Sequence, residues 1–202
     1  MSGTRAPLPT ELEMLRREIA WLGVYVWELQ ELEQLDMPSE RRERALRIRQ
    51  AAAPMFFNFV SSVFRDALIQ GLANILDPAS TGGHVNLTLE WAIQNHAGPA
   101  DKARLIDHLN AIRAAQTCES IRKSRNKMLS HTDYDTIKNY DSINAAADFP
   151  GMRLDDLRTL IWEIVTILSA VTGLEKCEFC HEDWRGVHDL FAVLESKGSK
   201  SA

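Results

Sequence analysis

Residues 10–32, TELEMLRREIAWLGVYVWELQEL, decide the fold class. Leu12, Leu15, Ile19, Leu22, Val26, Leu29 and Leu32 recur at steps of three and four, the spacing of one helical face. Thr10 with Glu13 three residues later forms a capping-box pattern, so the helix is predicted to start after Pro9 with Thr10 as N-cap. It is predicted to stop near Asp36–Pro38. The same periodicity continues along the chain. A basic helix is expected from Ser39 and Arg42 onward, and Pro54 should kink or restart it. The next helix, from Met55 to Leu76, is expected to turn Phe56, Phe59, Val63, Ala67 and Leu72 inward and to end at Asp77-Pro78. A small-residue loop, ASTGGH at 79–84, leads to a shorter helix carrying Leu87, Leu89, Trp91 and Ile93. After Gly98-Pro99, helical spacing resumes from Ala100 through Leu105, Leu109 and Ile112 to about Leu129. A polar stretch follows to Gly151. A strongly apolar helix then runs from Leu154 to Val171 and stops at Gly173. The last helix is expected over Asp183–Glu195, followed by the polar tail SKGSKSA. Strand signals are nearly absent and no internal repeat is visible. The expected fold is an all-α bundle of about six or seven helices. It divides into a helical domain over 1–175 and a C-terminal extension and tail over 176–202.

Composition narrows the function classes. The chain has 202 residues, 45% apolar and 25% charged, which excludes a disordered or low-complexity protein. Three cysteines cannot make a fully paired disulfide framework. Residues 1–10, MSGTRAPLPT, lack the apolar run of a signal peptide, so the expected compartment is the cytoplasm. No membrane span is expected: 56–76 is broken by Asn58, Arg65 and Asp66, and 160–171 is short and carries Glu163. The formal charge of −5, from 23 basic and 28 acidic residues, argues against a broad non-specific nucleic-acid surface. It leaves room for a local basic site. Arg41, Arg42, Arg44, Arg47 and Arg49 form one cluster, read with Glu40 and Glu43 as a solvated helix face. Arg113, Arg122, Lys123, Arg125 and Lys127 form another. Trp21, Trp27, Trp91, Trp162 and Trp184 are expected to pack in the core. His84, His96 and His108 fall in separate contexts that suggest no shared metal.

The chemistry concentrates in SIRKSRNKMLSHTDYD, residues 120–135. An apolar stripe runs through Ala111, Ala114, Cys118, Ile121, Met128 and Leu129, and Arg125 falls on it. A guanidinium on a core-facing position is costly unless it is paired or lines a wet cleft. An acidic side chain, a second subunit or a phosphate should therefore meet it; the planar fork suits phosphate. His131 follows six residues later. On an unbroken helix the two side chains would diverge by about 240°, so the helix must end or bend near Ser130 to bring them together. Histidine exchanges protons at neutral pH and arginine stabilises charge on phosphate, a sufficient pair for cleaving RNA without a metal. Ser130 and Thr132 read as local caps.

The string R-N-K-M-L-S-H-T-D at 125–133 resembles the HEPN superfamily, and within it the abortive-infection branch with its R-N-K-x-x-S-H-x-D pattern. Leu76-Asp77-Pro78 at the end of a long helix resembles that branch too, and the likeness covers 10–175. It implies a metal-independent, cofactor-free endoribonuclease acting as a toxin or anti-phage effector. It also implies a homodimer whose two motifs face one cleft, with a protein antitoxin as a further partner. Carried over residue by residue, Arg125 and His131 become the catalytic pair, with Asn126 assisting. Arg122, Lys123, Lys127 and Asp133 become substrate-binding. Three alternatives stay open: an ion pair between Arg125 and Asp77, a helix-terminus role for His131, and a HEPN-like bundle that binds nucleotide, RNA or protein without cleaving.

A second constellation is Cys177-x-x-Cys180-His181 with His188. Two sulfurs and imidazole nitrogens suit tetrahedral zinc, but the spacing departs from finger patterns, and reduced thiols without metal are the expectation. The haem-attachment spacing C-x-x-C-H is set aside for want of an export signal.

Overall fold

The computed structural model describes residues 7–33, 43, 46–50, 53–129 and 152–176. Among the described residues the helices are α1 (Thr10–Glu33), α2 (Pro54–Leu76), α3 (Leu89–His96), α4 (Pro99–Ala114), α5 (Gln116–Leu129) and α6 (Leu154–Thr172). Residues 46–50 are also helical. The all-α expectation is met. α1 packs on α2 and α6, α2 also on α5, and α3 and α4 on each other and on α6. The expected helix over 183–195 lies outside the described residues, as does the polar stretch after Leu129.

The α1 stripe is the core seen from one side. Leu12, Leu15, Ile19, Leu22, Val26 and Leu29 are buried together with Leu68, Leu72, Ile164, Ile167 and Leu168. Thr10, however, lies inside the helix, because the Glu13 N–H bonds to the Pro9 carbonyl at 3.0 Å. Glu13 does not complete a capping box; its carboxylate takes Arg16 at 2.8 Å and Arg17 at 3.0 Å. These hydrogen bonds, Arg16 first, hold its carboxyl down at about 2. Leu32 and Phe57 form a smaller cluster with Ile48, Val60 and Phe64 beside it. Arg49 is not simply solvated: its guanidinium donates to the Leu32 carbonyl at 2.7 Å and to Asn58 Oδ1 at 3.3 Å.

Pro54 restarts the chain as the first residue of α2, the position where its missing N–H costs nothing. The inward face of α2 differs from the expected one. Phe57, Leu68, Ile69, Leu72, Ala73, Ile75 and Leu76 are buried, while Phe56, Phe59 and Val63 are exposed. The first half of α2 is apolar around its circumference, so periodicity allowed two faces. The stack of Phe64 on Tyr25, and of Tyr25 on Trp21, sits on the side that faces α1. Trp21, Trp27 and Trp162 are also exposed, against the core placement expected of them.

The 79–84 loop is a short hairpin. Ser80 pairs with Val85 and Thr81 with His84. Gly82 and Gly83 take φ of 57° and 85°, the double left-handed geometry of a tight hairpin turn. The helix expected from Ala100 to Leu129 is broken at Ala115, whose ψ of 147° separates α4 from α5. Ala111 and Ala114 are consequently exposed, and the buried stripe of α5 starts at Cys118. Gly173 ends α6 with φ of 68°, the left-handed C-terminal turn glycine adopts freely.

At Gly71 the backbone of α2 lies close against a side chain of α1. A Cβ placed there would sit 2.5 Å from Leu22 Cδ2, and Leu22 is itself buried. Overpacking of about 1–3 kcal/mol then outweighs the roughly 1 kcal/mol of helix propensity that alanine adds. Gly71→Ala should lower stability in chemical denaturation, and should cost less in a Leu22→Ala background, where the methyl group has room.

Candidate functional site

The site is built on the C-terminal end of α2. The last carbonyls of a helix have no partner within it and carry its negative dipole end. Arg113, in the last turn of α4, supplies the partner. Its Nε donates to the Leu76 carbonyl at 2.8 Å and its Nη2 to the Asp77 carbonyl at 2.7 Å. Its Nη1 donates to Glu90 Oε2 of α3 at 2.7 Å. One fork thereby ties three helices.

Asp77 sits on a stiff corner. Pro78 restricts the residue before it to extended backbone, and Asp77 has φ −62° and ψ 159°. Beyond the proline, the Asn86 amide Nδ2 donates to the Pro78 carbonyl at 3.0 Å, and the Asn86 backbone N–H to that of Ala79 at 2.8 Å. Thr88, buried, caps α3 by accepting from the Trp91 N–H at 3.2 Å. Backbone on both sides of Asp77 is thus fixed before its carboxylate does anything.

The break at Ala115 lays α5 against α2. Cys118, Ser120, Ile121 and Ser124 are buried on its inner face. Arg125 comes next on that face, and its Nη1 lies 2.7 Å from Asp77 Oδ2, with the side chains 22% and 32% exposed. The acidic partner anticipated as an alternative is therefore present. Arg122 reaches back to the Arg113 carbonyl at 3.2 Å. Between α2, α4 and α5 lies a cleft of about 120 Å³, lined by Leu76, Asp77, Arg113, Cys118, Ile121 and Arg122 among others. Sites that swallow whole ligands run to roughly 300–1,000 Å³. This one has room for a phosphate-sized group, with the rest of any ligand outside.

Two polar atoms in α5 are buried without a hydrogen-bond partner among the described residues, Ser124 Oγ and Arg125 Nε. An unpaired donor in such a place costs about 1–3 kcal/mol. Burial pushes the Cys118 thiol above its ordinary range, against the opposing pull of Arg122 and Arg113, so it stays a protonated packing group.

Of the residues singled out in the sequence, Arg125 is bonded to Asp77, and Arg122 lines the cleft that Asp77 also lines. Lys123 is exposed and pairs with Glu119 at 2.7 Å, and the Lys123 ammonium holds that carboxyl below its usual range. Asn126 is exposed. Lys127 belongs to α5, but its side chain, His131 and Asp133 lie outside the described residues, as do Cys177, Cys180, His181 and His188. Among the described residues no cluster of three His, Cys, Asp or Glu side chains is placed to hold a metal. His108 lies 2.8 Å from Glu163 on α6, and His96 packs beside Trp91. None of the described helices is long and apolar enough to cross a membrane. The motif gave no sign of the clamp made by Arg113 and Glu90. The available signal is a basic residue in the last turn of α4, which by itself marks only local charge.

A family model described as AbiU2, of the HEPN class, matches residues 7–175. No curated protein matches the chain, and no solved structure does.

Arg113 makes three charge-assisted hydrogen bonds in a site 21% exposed on each side of its ion pair. Arg113→Met keeps the aliphatic stem and removes them all. The expected loss is about 2–4 kcal/mol of unfolding free energy, measured in urea.

Proposed function

Because the chain belongs to the AbiU2 family of HEPN proteins, we propose that it is a metal-independent endoribonuclease serving abortive infection in the cytoplasm, with residues 1–175 as the nuclease domain. The observation that supports this reading is Arg125. The guanidinium of the family motif is held by one nitrogen on Asp77, a residue that lines the phosphate-sized cleft, and its buried Nε lacks an acceptor among the described residues.

The chemistry follows from the two side chains. His131 accepts the proton of the 2′-hydroxyl, whose oxygen attacks the adjacent phosphorus. The 5′-oxygen leaves with a proton returned by an imidazolium, and the product is a 2′,3′-cyclic phosphate with a free 5′-hydroxyl. Arg125 stabilises the extra negative charge on the phosphate oxygens as the bond forms. On this reading Asn126 assists the catalytic pair, and Arg122, Lys123, Lys127 and Asp133 bind the RNA strand. The second reading, RNA binding without cleavage, is favoured by the Asp77–Arg125 ion pair, which occupies one guanidinium nitrogen.

Incubation of purified protein with RNA in EDTA tests the proposal. Cleavage should survive chelation, leave cyclic phosphate ends, and slow by at least about 100-fold in His131→Ala and Arg125→Ala. Equal degradation by all three proteins would be contamination and would overturn the assignment. Retention of RNA by an inert wild type would establish the second reading.

The homodimer has a physical support in α2. Met55, Phe56, Phe59 and Val63 stand 81%, 53%, 67% and 44% exposed along one side of the helix. No residue from Ala53 to Phe64 is charged. A two-fold contact between copies of this face would therefore bring no like charges together. Phe59→Glu should convert a dimer to a monomer in sedimentation equilibrium, while a monomeric wild type at high concentration would refute the dimer.

A further inference from the structure

By size the cleft at the α2 corner admits a phosphate or a single ring; its lining favours the ring. Ala73, Leu76, Pro78, Cys118 and Ile121 supply most of the wall, and its acidic member is Asp77. Arg113 borders the cleft too, but its three nitrogens already serve two carbonyls and Glu90. The other cation is Arg122, which is exposed. An anion inside would lie against hydrocarbon and a carboxylate that repels it. An uncharged flat ring with N–H donors would instead find an apolar wall and an acceptor. The volume agrees: the cleft holds about 120 Å³, and a cavity of roughly 150 Å³ is enough for benzene.

Asp77 has acceptor capacity to spare. A carboxylate offers about four lone-pair sites. Arg125 Nη1 occupies one on Oδ2, and Oδ1 accepts no hydrogen bond among the described residues. The carboxylate also has a fixed base, since Arg113 holds the Asp77 carbonyl and Pro78 restricts its torsions. Of the four RNA bases, guanine alone carries two donors side by side on its Watson–Crick edge, N1–H and the N2 amine. Adenine and cytosine set an acceptor next to the amine, and uracil flanks its N3–H with two carbonyls. Against a carboxylate those acceptors would meet lone pairs.

We infer that the cleft is a base-recognition pocket: it takes a guanine of single-stranded RNA, whose N1–H and N2 amine donate to the Asp77 carboxylate. The six-membered ring enters against Leu76, Cys118 and Ile121, and the ribose stays outside. Arg122 offers the base a planar cation on which to stack. The 2.7 Å bond from Asp77 to Arg125 then sets the recognised nucleotide beside the motif. The inference rests on RNA being the substrate, and adds which nucleotide is recognised.

The test uses full-length protein and fluorescein-labelled pentamers, UUGUU, UUAUU, UUCUU, UUUUU and an inosine version of the first, read by fluorescence anisotropy. A 2′-O-methyl group on every ribose removes the attacking hydroxyl, so binding is measured without cleavage. UUGUU should bind about 10–100-fold more tightly than UUUUU, and inosine, which lacks the N2 amine, should lose most of that gain. Asp77→Asn, checked for folding by thermal melting, should lose the guanine preference, because its amide presents a donor where the carboxylate accepts. A merely structural Asp77 would weaken all the pentamers alike. Guanosine monophosphate lacks flanking phosphates, and should compete only at concentrations about tenfold or more above UUGUU. The inference is overturned if the pentamers bind within threefold of one another, if inosine matches guanosine, or if Asp77→Asn keeps the preference. Competition by guanosine monophosphate at equal concentration would make the pocket a free-nucleotide site and overturn the RNA assignment. RNA cleavage in EDTA with base-indifferent binding sinks this inference alone. Guanine-dependent binding without cleavage sinks the nuclease reading and leaves the pocket standing. A wild type that neither cuts nor binds RNA sinks both.

Discussion

At the end of α2 the chain has to satisfy carbonyl groups that no longer have helical partners, and Arg113 does so with a single side chain. Its fork meets two of those carbonyls and a carboxylate from α3 at distances of 2.7–2.8 Å. The consequence reaches beyond capping. The corner Leu76-Asp77-Pro78 becomes a fixed point between helices distant in sequence, and α5 is laid against it. Without that clamp the Asp77 carboxylate would have no defined place from which to hold Arg125. The cleft, the basic residues at its rim and the orientation of the motif helix all refer back to this corner.

Arg125 illustrates why a polar group on an inward face carries information. A guanidinium placed among Cys118, Ile121 and Ser124 loses water on one side, and the loss must be offset by partners. Asp77 offsets part of it through one nitrogen. The donors left over give the residue its capacity to do more than hold helices together. In a purely structural pair, a bidentate contact would use both edges of the match. Here the contact is single, at partial exposure, and its direct contribution to stability is about 1 kcal/mol or less.

Much of this was legible in the residues. The step-three and step-four spacing of Leu12 to Leu32 gave the first helix and its buried face, Pro54 and Gly173 marked a start and a stop, and the R-N-K string located the family. Other features depended on partners that spacing does not reveal. In the first half of α2 apolar residues surround the helix, so only packing against Tyr25 and Leu32 chooses Phe57 over Phe56. The break at Ala115 has neither glycine nor proline to announce it; alanine there favours continuation, and tertiary packing overrides it. The two-residue strands around Gly82-Gly83 are too short to produce alternation. The pairing of Arg125 with Asp77 spans 48 positions and was visible only as one alternative among three. Arg113 was legible as a charge but not as a clamp, because its acceptors are main-chain carbonyls, which every residue possesses.

Among the described side chains, the inner face of α5 carries a cysteine, an isoleucine and two serines, where α1 and α6 present rows of leucine and isoleucine. Such small side chains let the helix lie close to α2 but remove little hydrocarbon from water. Its attachment therefore leans on directional, polar contacts at the α2 corner. Segments held this way open at lower free energy than the body of a domain, and their amide protons exchange with solvent sooner. The described part of the motif helix is thus expected to exchange before the leucine-rich layers beneath it.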